Sequence, residues 1–378
     1  MKILLVGEYS RLHNSLKEGL HELGHQVTII ATGDHFKNYP VDIKLHRKYN
    51  QGISKKIKVL LFKFLKIDIT SIAIKKQFFS HQEALKGFDI VQLINESPIG
   101  VTPKHEKEFI EFLKEHNKKI FLLSCGTDYI SVKYSHDKKP KYSILEAYFN
   151  GKASKKSFAP ILKYLEPEYK SLHEFVFDSI EGVIASDLDY HIPLEGHLKY
   201  LGLIANPINS LLLTFIPLNV IGKIIIFHGI NRANYYKKGS DYFEEALEII
   251  QNKYPNKVEI KTVENLPYKE YIKTYNEAHI VLDQVLAYDQ GYNALEAMAK
   301  GKVVFTGAEE EFNNYYKLKN KVAINALPNA QKIASSLEEL ILNPALIIEI
   351  GKNAREFIEI EHHYKNNAQK YLDIWNRN

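Results

Sequence analysis

The chain has 378 residues with 50 basic and 45 acidic side chains, which leaves a net charge of +5. A hydrophobic fraction of 45% and a charged fraction of 25% are typical of a folded globular protein and exclude a disordered one. The positive surplus is small for a nucleic-acid-binding protein, and we find neither zinc-finger spacing nor an aromatic RNA-binding motif, so no nucleic acid partner is expected.

The length exceeds what one hydrophobic core usually serves and predicts two domains of roughly 150 residues each. A single cysteine, Cys125, cannot form an internal disulfide and indicates a reducing compartment. The opening MKILLVGEYS predicts a buried strand rather than a secretion signal, because its apolar run is short and no small-residue cleavage site follows. We therefore expect a cytoplasmic protein.

Short apolar runs alternate with amphipathic stretches through the first half. The predicted buried strands are KILLVG, QVTIIA, FDIVQLI, KIFLLS and GVIAS. Helices are predicted between them, among others at Leu12–Leu23 and His105–His116. Strand–helix alternation at this spacing predicts a parallel sheet covered on both faces.

One basic segment, Lys44–Lys76, mixes lysine and arginine with leucine, phenylalanine and isoleucine. Two interpretations stay open for it. An amphipathic basic helix can lie on an anionic membrane surface, which here would be a peripheral contact with the inner membrane face. Alternatively, the helix faces the core and only its lysines are solvated.

The strands stop near Leu203 and resume near Lys223, and IANPINS between them contains turn-forming Pro207 and Asn209. We place an N-terminal domain at 1–205, a linker at 206–222 and a second domain from 223. The apolar run Leu211–Phe227 is shorter than the ~20 residues of a membrane-spanning helix and is interrupted by polar residues, so no span is expected.

The second half repeats the alternation. Its predicted strands are KIIIFHG, KVEIKTV, HIVLDQ, KVVFTG and KVAIN, with helices that include Asp241–Asn252 and Ala330–Leu342. The predicted fold class is therefore α/β, with two doubly wound domains that face each other across a cleft. Ligands of such sheets bind beyond the carboxyl ends of the strands, so functional residues are sought there.

Three loops at these strand ends suit a nucleotide. The first, FHGINRANYYKKGSDYF, carries Arg232 and Lys238, two cations that can converge on a diphosphate. The second, TVENLPYKEY, offers backbone donors and acceptors at Glu264, Asn265 and Leu266 that can face a nucleobase.

The third loop, DQGYNALEAMAKGKVVF, has Gly291 directly before a short helix that carries one acidic residue, Glu296. A helix N-terminus attracts anions, and a carboxylate accepts hydrogen bonds from hydroxyl groups. A ligand with both phosphate and vicinal hydroxyls, such as a nucleotide, satisfies both features.

In this order, the three loops resemble the nucleotide-sugar-binding half of GT-B glycosyltransferases, especially the retaining enzymes of glycosyltransferase family 4. The resemblance implies a donor-binding domain at 223–355, in which Arg232 and Lys238 hold the diphosphate and Glu296 the ribose hydroxyls. The amides of Tyr292, Asn293 and Ala294 would back the phosphates. The family's first acidic residue falls on Tyr288, so either the neighbouring Asp289 contacts the donor sugar or that contact is lost.

The first half is similar to the opening of the same fold, which implies an acceptor-binding Rossmann-like domain. On the loop after its first strand, Gly7 is a donor-side candidate, and Arg11 and His13 are acceptor-side candidates. Where many relatives carry a histidine, the chain has Cys125-Gly126, with Asp128 nearby as a polar group at the reacting centre or a helix cap. The last helix, 356–378, would cross back to the N-terminal domain.

The expected function is transfer of a sugar from a nucleoside-diphosphate sugar to a glycan or lipid-linked acceptor, in bacterial surface polysaccharide synthesis. Retention of the anomeric configuration is implied by the resemblance. A sugar-nucleotide 2-epimerase of the same fold and a non-catalytic nucleotide-sugar-binding or glycan-binding protein remain alternatives. No cofactor is expected, and no metal, because Arg232 and Lys238 supply positive charge and Asp187 and Asp189 are expected in a turn.

Overall fold

A computed structural model of the chain describes residues 1–33, 39–264 and 268–378, without the side chains of residues 268–271. The strands are β1 Lys2–Val6, β2 Gln26–Ala31, β3 Ile43–Lys44, β4 Ile90–Leu93, β5 Lys119–Ser124, β6 Gly182–Ala185, β7 Tyr200–Leu203, β8 Ile224–Ile230, β9 Val258–Glu264, β10 Ile280–Leu282, β11 Val303–Thr306 and β12 Ile324–Asn325.

The α helices of the first half are α1 Leu12–Glu22, α2 Gly52–Leu65, α3 Ile69–Ser80, α4 Pro103–His116, α5 Tyr129–His136, α6 Glu146–Phe149, α7 Lys155–Leu162, α8 Pro167–Ser179 and α9 Leu188–Leu194. Those of the second half are α10 Ser240–Lys253, α11 Tyr268–Glu277, α12 Tyr292–Ala299, α13 Glu310–Tyr315, α14 Ala330–Leu342, α15 Pro344–Glu361 and α16 Tyr364–Arg377.

The described strands form two parallel sheets. The first has the order β3-β2-β1-β4-β5-β6-β7 and the second the order β12-β11-β10-β8-β9. In the first, Ile3 is in register with Val27 of β2 and with Ile90 of β4. Residues 3–6 of β1 are buried on both faces, as expected for a parallel strand covered by helices on both sides. The two-sheet α/β architecture predicted from the sequence is confirmed.

All ten predicted strands are present, and two more were missed. β3 has only two residues, too few for a recognisable apolar pattern. β7 is an edge strand, and all four of its residues are only partly buried. β3 is too short to carry the continuous apolar run that identifies the central strands, and the run of β7 is interrupted by Gly202.

The C-terminal segment returns to the first sheet. After α15, the chain passes His362 and His363, and α16 packs along α1. Gly19 allows the close approach, since a Cβ at this position would lie 2.6 Å from the carbonyl oxygen of Tyr364. The Nδ2 of Asn367 donates to the carbonyl oxygen of Ala205 at 2.8 Å, so α16 is held to the end of the first domain.

The basic segment forms α2 and α3, which differ in their packing. α3 is anchored in the core, where Phe78 stacks on Phe109 with ring centroids 4.2 Å apart. α2 has no buried residue, so the core-facing interpretation is wrong for this helix. None of the described helices is both long and apolar enough to cross a bilayer.

Candidate functional site

A cavity of about 610 Å³ lies between the two domains. Its residues follow the carboxyl ends of strands in both sheets, as expected for doubly wound domains. The first domain contributes Gly126 and Thr127 after β5 and Asp187 after β6. The second contributes Lys238 after β8 and Gly291 after β10.

Lys238 is fixed by a buried carboxylate. Its Nζ lies 2.9 Å from Oδ1 of Asp283, which directly follows β10 and whose side chain is 1% exposed. The adjacent Gly239 has a φ of +67° and precedes α10, and a Cβ there would lie 2.7 Å from Cβ of Val285. Glycine thus lets the loop turn close to β10, which places the lysine at the cavity wall.

The same carboxylate holds the start of α12. Oδ1 of Asp283 also accepts a hydrogen bond from Nδ2 of Asn293, at 3.1 Å. Gly291 is the N-cap of α12, and the first turn of any α helix leaves backbone amides without an intrahelical acceptor. Asp283 was not identified from the sequence, although it lies in a predicted strand. It joins Lys238 and the helix start in one arrangement suited to an anion.

The side chains of Tyr292 and Ala294, in the first turn of α12, do not face the cavity. Ala294 is fully buried, and the ring of Tyr292 points into the first domain. The hydroxyl of Tyr292 lies 2.7 Å from Oγ of Ser15 and donates to the carbonyl oxygen of Pro207 at 2.8 Å. These two side chains therefore pack the helix, and only their amides remain candidates for a phosphate contact.

Arg232 faces a neighbouring cavity of about 520 Å³. Its guanidinium forms a two-point ion pair with Glu264, with Nε 3.0 Å from Oε2, and lies 4.8 Å from the ring centre of Tyr235. The hydrogen bond from Arg232 lowers the pKa of Glu264. Arg232 and Lys238 thus share one loop but line different cavities, and Arg232 must leave Glu264 to reach a ligand beside Lys238.

Lys237 lines both cavities and was overlooked in the sequence. Among the described residues, no carboxylate pairs with its ammonium group. Burial, together with the charge of Lys238, lowers its pKa. A desolvated lysine next to a second lysine gains stability from an anion placed between them. The only sequence signal was the doubled lysine of the predicted loop.

Two other donor candidates lie apart from the larger cavity. Glu296 is partly exposed on α12, about one turn beyond Gly291, and is not among the described residues that line the cavity. Glu264 ends β9 on the side of Arg232. Asn265 and Leu266 lie outside the described residues, so their proposed contact with a base stays a prediction.

The candidates on the loop after β1 are mostly structural. Gly7 has a φ of +92° and is tightly packed, since a Cβ would lie 2.3 Å from a methyl carbon of Ile94. His13 is fully buried and donates from Nδ1 to the carbonyl oxygen of Gly7 at 2.7 Å; burial lowers its pKa to about 4. Arg11 forms an ion pair with Glu18. Neither Arg11 nor His13 lines the described cavities, and these placements do not support acceptor contacts.

Asp128 is a helix cap, not a group facing the cavity. Its Oδ1 accepts from the amide of Ser131 at 2.7 Å, and its Oδ2 accepts from the hydroxyl of Ser124. The residue is 4% exposed, so both carboxylate oxygens are used within the first domain. The catalytic assignment is therefore not supported. Burial raises the pKa of Cys125, which disfavours a nucleophilic thiolate.

Asp289 joins the two domains instead of facing the cavity. Its Oδ2 accepts from the amide of Leu188 at the start of α9, at 3.0 Å. In return, Asp189 accepts from the amides of Tyr288 and Asp289, at 3.0 and 3.3 Å. Because Asp289 is 2% exposed and both of its oxygens accept backbone hydrogen bonds, its placement does not support the donor-sugar contact.

Tyr288 also crosses the domain boundary. Its hydroxyl accepts a hydrogen bond from the amide of Lys141 at 2.7 Å. The Nζ of Lys141 in turn lies 3.2 Å from Glu309 and 3.0 Å from Glu311. Tyr288 thus lines the cavity and takes part in the interdomain contact.

Three aspartates at this boundary make stability depend on pH. Burial raises the pKa of Asp189 to about 7 and that of Asp289 to about 6, and burial plus the other two carboxylates raises the pKa of Asp187. Carboxylates of an unfolded chain titrate near ~4, so ionisation costs the folded state free energy. Stability from these groups is therefore lost as pH rises from about 4 to about 7.

We expect Asp189→Asn to raise the melting temperature at pH 8 by about 2–4 °C, because loss of the buried charge should outweigh loss of one acceptor oxygen. An amide oxygen in the place of Oδ2 still accepts from the amides of Tyr288 and Asp289, both at 3.3 Å. The gain should disappear near pH 5, where Asp189 is protonated. Calorimetric melting curves at several pH values measure this, with the exposed Asp178→Asn as control. A loss of the same size at every pH would contradict the assignment.

Among the described residues, no group of three or more His, Cys, Asp or Glu side chains is arranged to hold a metal ion. The polar groups of the cavity wall are instead lysines, hydroxyls, amides and carboxylates, which include the neighbouring Asp187 and Asp189.

Comparison with known proteins identifies the fold. Residues 226–373 match a family described as glycosyl transferase-like. No curated protein matches the chain. Among solved structures, sucrose-phosphate synthase from Thermosynechococcus elongatus is 16% identical with a TM-score of 0.63, over 100% of this chain and 98% of that one.

Anabaena HepE, solved in complex with UDP and glucose, is 11% identical with a TM-score of 0.59, over 100% of both chains. UDP-GlcNAc 2-epimerase from Neisseria meningitidis, bound to UDP-GlcNAc, is 14% identical with a TM-score of 0.53, again over 100% of both chains. The chain therefore has the GT-B fold, with two Rossmann-like domains facing across a cleft.

Proposed function

We propose that this glycosyltransferase of the GT-B fold transfers a hexosyl group from a UDP-sugar to a glycan or lipid-linked acceptor, with retention of configuration, in bacterial surface polysaccharide synthesis. The observation that carries the proposal is the contact of Asp283 with both Lys238 and Asn293 of α12, at the wall of the interdomain cavity. A diphosphate beside Lys238 would meet one lysine charge and the amides of a helix start together.

The leaving diphosphate explains why cations matter at this wall. When the bond between the sugar and the diphosphate breaks, negative charge develops on the departing phosphate oxygen. Lys238, Lys237 and the start of α12 would stabilise that charge in the transition state, where preorganised donors have their largest effect. The departing oxygen would accept the proton of the acceptor hydroxyl as the new glycosidic bond forms. These cations supply the positive charge of the site, so we propose metal-independent transfer.

The nucleoside would extend from the diphosphate toward Glu296 and Glu264. Uridine is favoured because the HepE and epimerase structures both hold uridine nucleotides. Glu296, about one turn beyond Gly291, would accept hydrogen bonds from the ribose hydroxyls. Arg232 would exchange Glu264 for the diphosphate, an exchange that exposure of nearly half its side chain permits.

The acceptor would bind on the first-domain wall of the cavity. That wall carries hydroxyls and aromatic rings suited to sugar rings, including Ser131, Tyr134, Ser135 and Tyr142. The interdomain hydrogen bonds of Tyr288 and Asp289 would help to keep water from the reacting bond when the cleft is closed.

The alternatives make different demands on this cavity. An epimerase would need a histidine at the sugar ring, and the described residues that line the cavity include none. A non-catalytic protein would bind the donor without turning it over.

A panel of UDP-, GDP- and dTDP-sugars tests the proposal. We expect UDP-sugars to raise the melting temperature, because a ligand bound only by the native state stabilises it. The protein should also release UDP slowly from the stabilising sugar, and faster with an acceptor glycan. Epimerised product without UDP release would support the epimerase, and stabilisation without any turnover would support the binding protein.

A further inference from the structure

Helix α2 exposes an apolar face to solvent. None of its 14 residues is buried. Ile53, Ile57, Leu60 and Phe64 are 76, 50, 57 and 69% exposed. Their spacing of four, three and four residues places them on one face of the helix. Exposed apolar residues scattered singly are ordinary, whereas a continuous exposed stripe marks an interaction surface.

The rest of this helix is basic, although it also carries the exposed apolar side chains of Val59, Phe62 and Leu65. Five lysines lie within or directly after it: Lys55, Lys56, Lys58, Lys63 and Lys66. The segment 43–67 contains no Asp or Glu, and none of the five lysines forms an ion pair within the described part of the chain. Whatever binds the apolar face therefore lies close to a dense positive charge. A negatively charged partner would be attracted by that charge.

We propose that α2 binds an anionic lipid membrane, lying in the plane of the interface with its apolar face among the acyl chains and its lysines at the headgroups. This arrangement needs a short amphipathic helix with a basic polar face, which α2 provides. With 14 residues the helix is about 21 Å long, too short to span a bilayer. A second copy of the chain would oppose lysine to lysine.

Helix α2 lies at the same end of the first sheet as the cavity, the end formed by the carboxyl termini of the strands. α2 follows the carboxyl end of β3, and the cavity residues follow the carboxyl ends of other strands of the same parallel sheet. Arg47, just before α2, donates to the carbonyl oxygens of Ile99 and Gly100 at 2.8 and 3.0 Å, beyond β4. Membrane binding by α2 does not depend on the proposed function. The idea that this binding brings the cavity close to a lipid-linked acceptor does depend on it.

Sedimentation of the full-length protein with vesicles tests the contact. We expect binding to vesicles of equal parts phosphatidylcholine and phosphatidylglycerol, weak binding to phosphatidylcholine alone, and release by high salt. The double variant Leu60→Gln/Phe64→Gln should lower the partition coefficient at least about tenfold, because each side chain contributes that much when fully buried. Lys55→Gln/Lys56→Gln/Lys63→Gln should remove the preference for anionic lipid.

The matched control is Leu342→Gln/Ile360→Gln, which removes two side chains of similar exposure, 51 and 66%, from the second domain. It should bind vesicles like the wild type. Absence of wild-type sedimentation, or equal sedimentation of the Leu60/Phe64 variant, would overturn the proposal. The proposal would also be overturned if the wild type were a dimer and the Leu60/Phe64 variant were a monomer with unchanged vesicle binding. UDP binding, measured in parallel without lipid, tests the proposed function separately.

A fluorescent probe locates the contact. Trp375 is the single tryptophan of the chain and is fully buried in α16, so its emission should not respond to lipid. Phe64→Trp places a second tryptophan on the exposed face of α2. Its emission should shift to shorter wavelength on addition of the anionic vesicles. An unchanged spectrum at saturating vesicle binding would overturn the assignment to α2.

Discussion

Lys238→Ala is expected to lower kcat/KM for the UDP-sugar by about 10²- to 10³-fold, the usual effect of removing one preorganised group that stabilises a developing oxyanion. The reason is that the Lys238 ammonium group is held at the cavity wall by Asp283 before any ligand binds. Affinity for UDP, measured by calorimetry, should fall with it, because in the proposed site the ammonium would contact the diphosphate in both the bound and the reacting states.

The structural contribution of Lys238 has to be separated from the electrostatic one. Removal of the lysine leaves Asp283 with Asn293 at 3.1 Å and Thr306 at 3.5 Å. Lys238→Gln keeps an amide donor for Asp283 but no charge, so it should retain more stability than the alanine variant and remain almost as inactive. Lys332→Ala on α14 is the matched surface control. Wild-type activity in the glutamine variant would contradict the assigned role.

Glu296→Ala is expected to weaken UDP binding by about tenfold or more, since a hydrogen bond to a charged group contributes ~1.5–3 kcal/mol. The proposed contact is with the ribose hydroxyls, which do not change during transfer. KM should therefore rise while kcat changes little, unlike the effect of Lys238→Ala. Steady-state kinetics with the preferred UDP-sugar distinguish the two patterns.

The ribose contact can be tested more narrowly with a deoxy donor. A donor that lacks the ribose 2′-hydroxyl should lose affinity for the wild type but not for Glu296→Ala. Glu349→Ala, an exposed glutamate of α15, is the control for the loss of one surface charge. Equal affinity of the wild type and Glu296→Ala for UDP would remove Glu296 from the site.

The sequence predicted the central strands because each is a short apolar run bounded by helical periodicity. The misses have local causes, since β3 has only two residues, one of them a lysine, and the apolar run of β7 is interrupted by Gly202. The sequence pattern of α2 predicted an amphipathic helix, but it did not predict that none of the helix residues would be buried. Whether an amphipathic helix meets a core or solvent depends on tertiary contacts that its own residues do not determine.

The residues of the candidate site likewise fall into those that the sequence could predict and those that it could not. Lys238 and Gly291, which line the cavity, could be proposed because loop chemistry is local: a cation before glycine, and glycine before a helix. Asp283 and Lys237 were missed because a buried ion pair and a desolvated amine depend on neighbours distant in the chain. Asp128 and Asp289 were proposed for the site because their backbone partners could not be read from the letters.

The most direct test of the central claim is a crystal structure of the protein with UDP and the stabilising sugar nucleotide. We predict that the β-phosphate lies within hydrogen-bond distance of Nζ of Lys238 and of the first amides of α12, with the ribose hydroxyls on Glu296. A diphosphate bound outside the interdomain cavity, with the bond between Lys238 and Asp283 undisturbed, would contradict it.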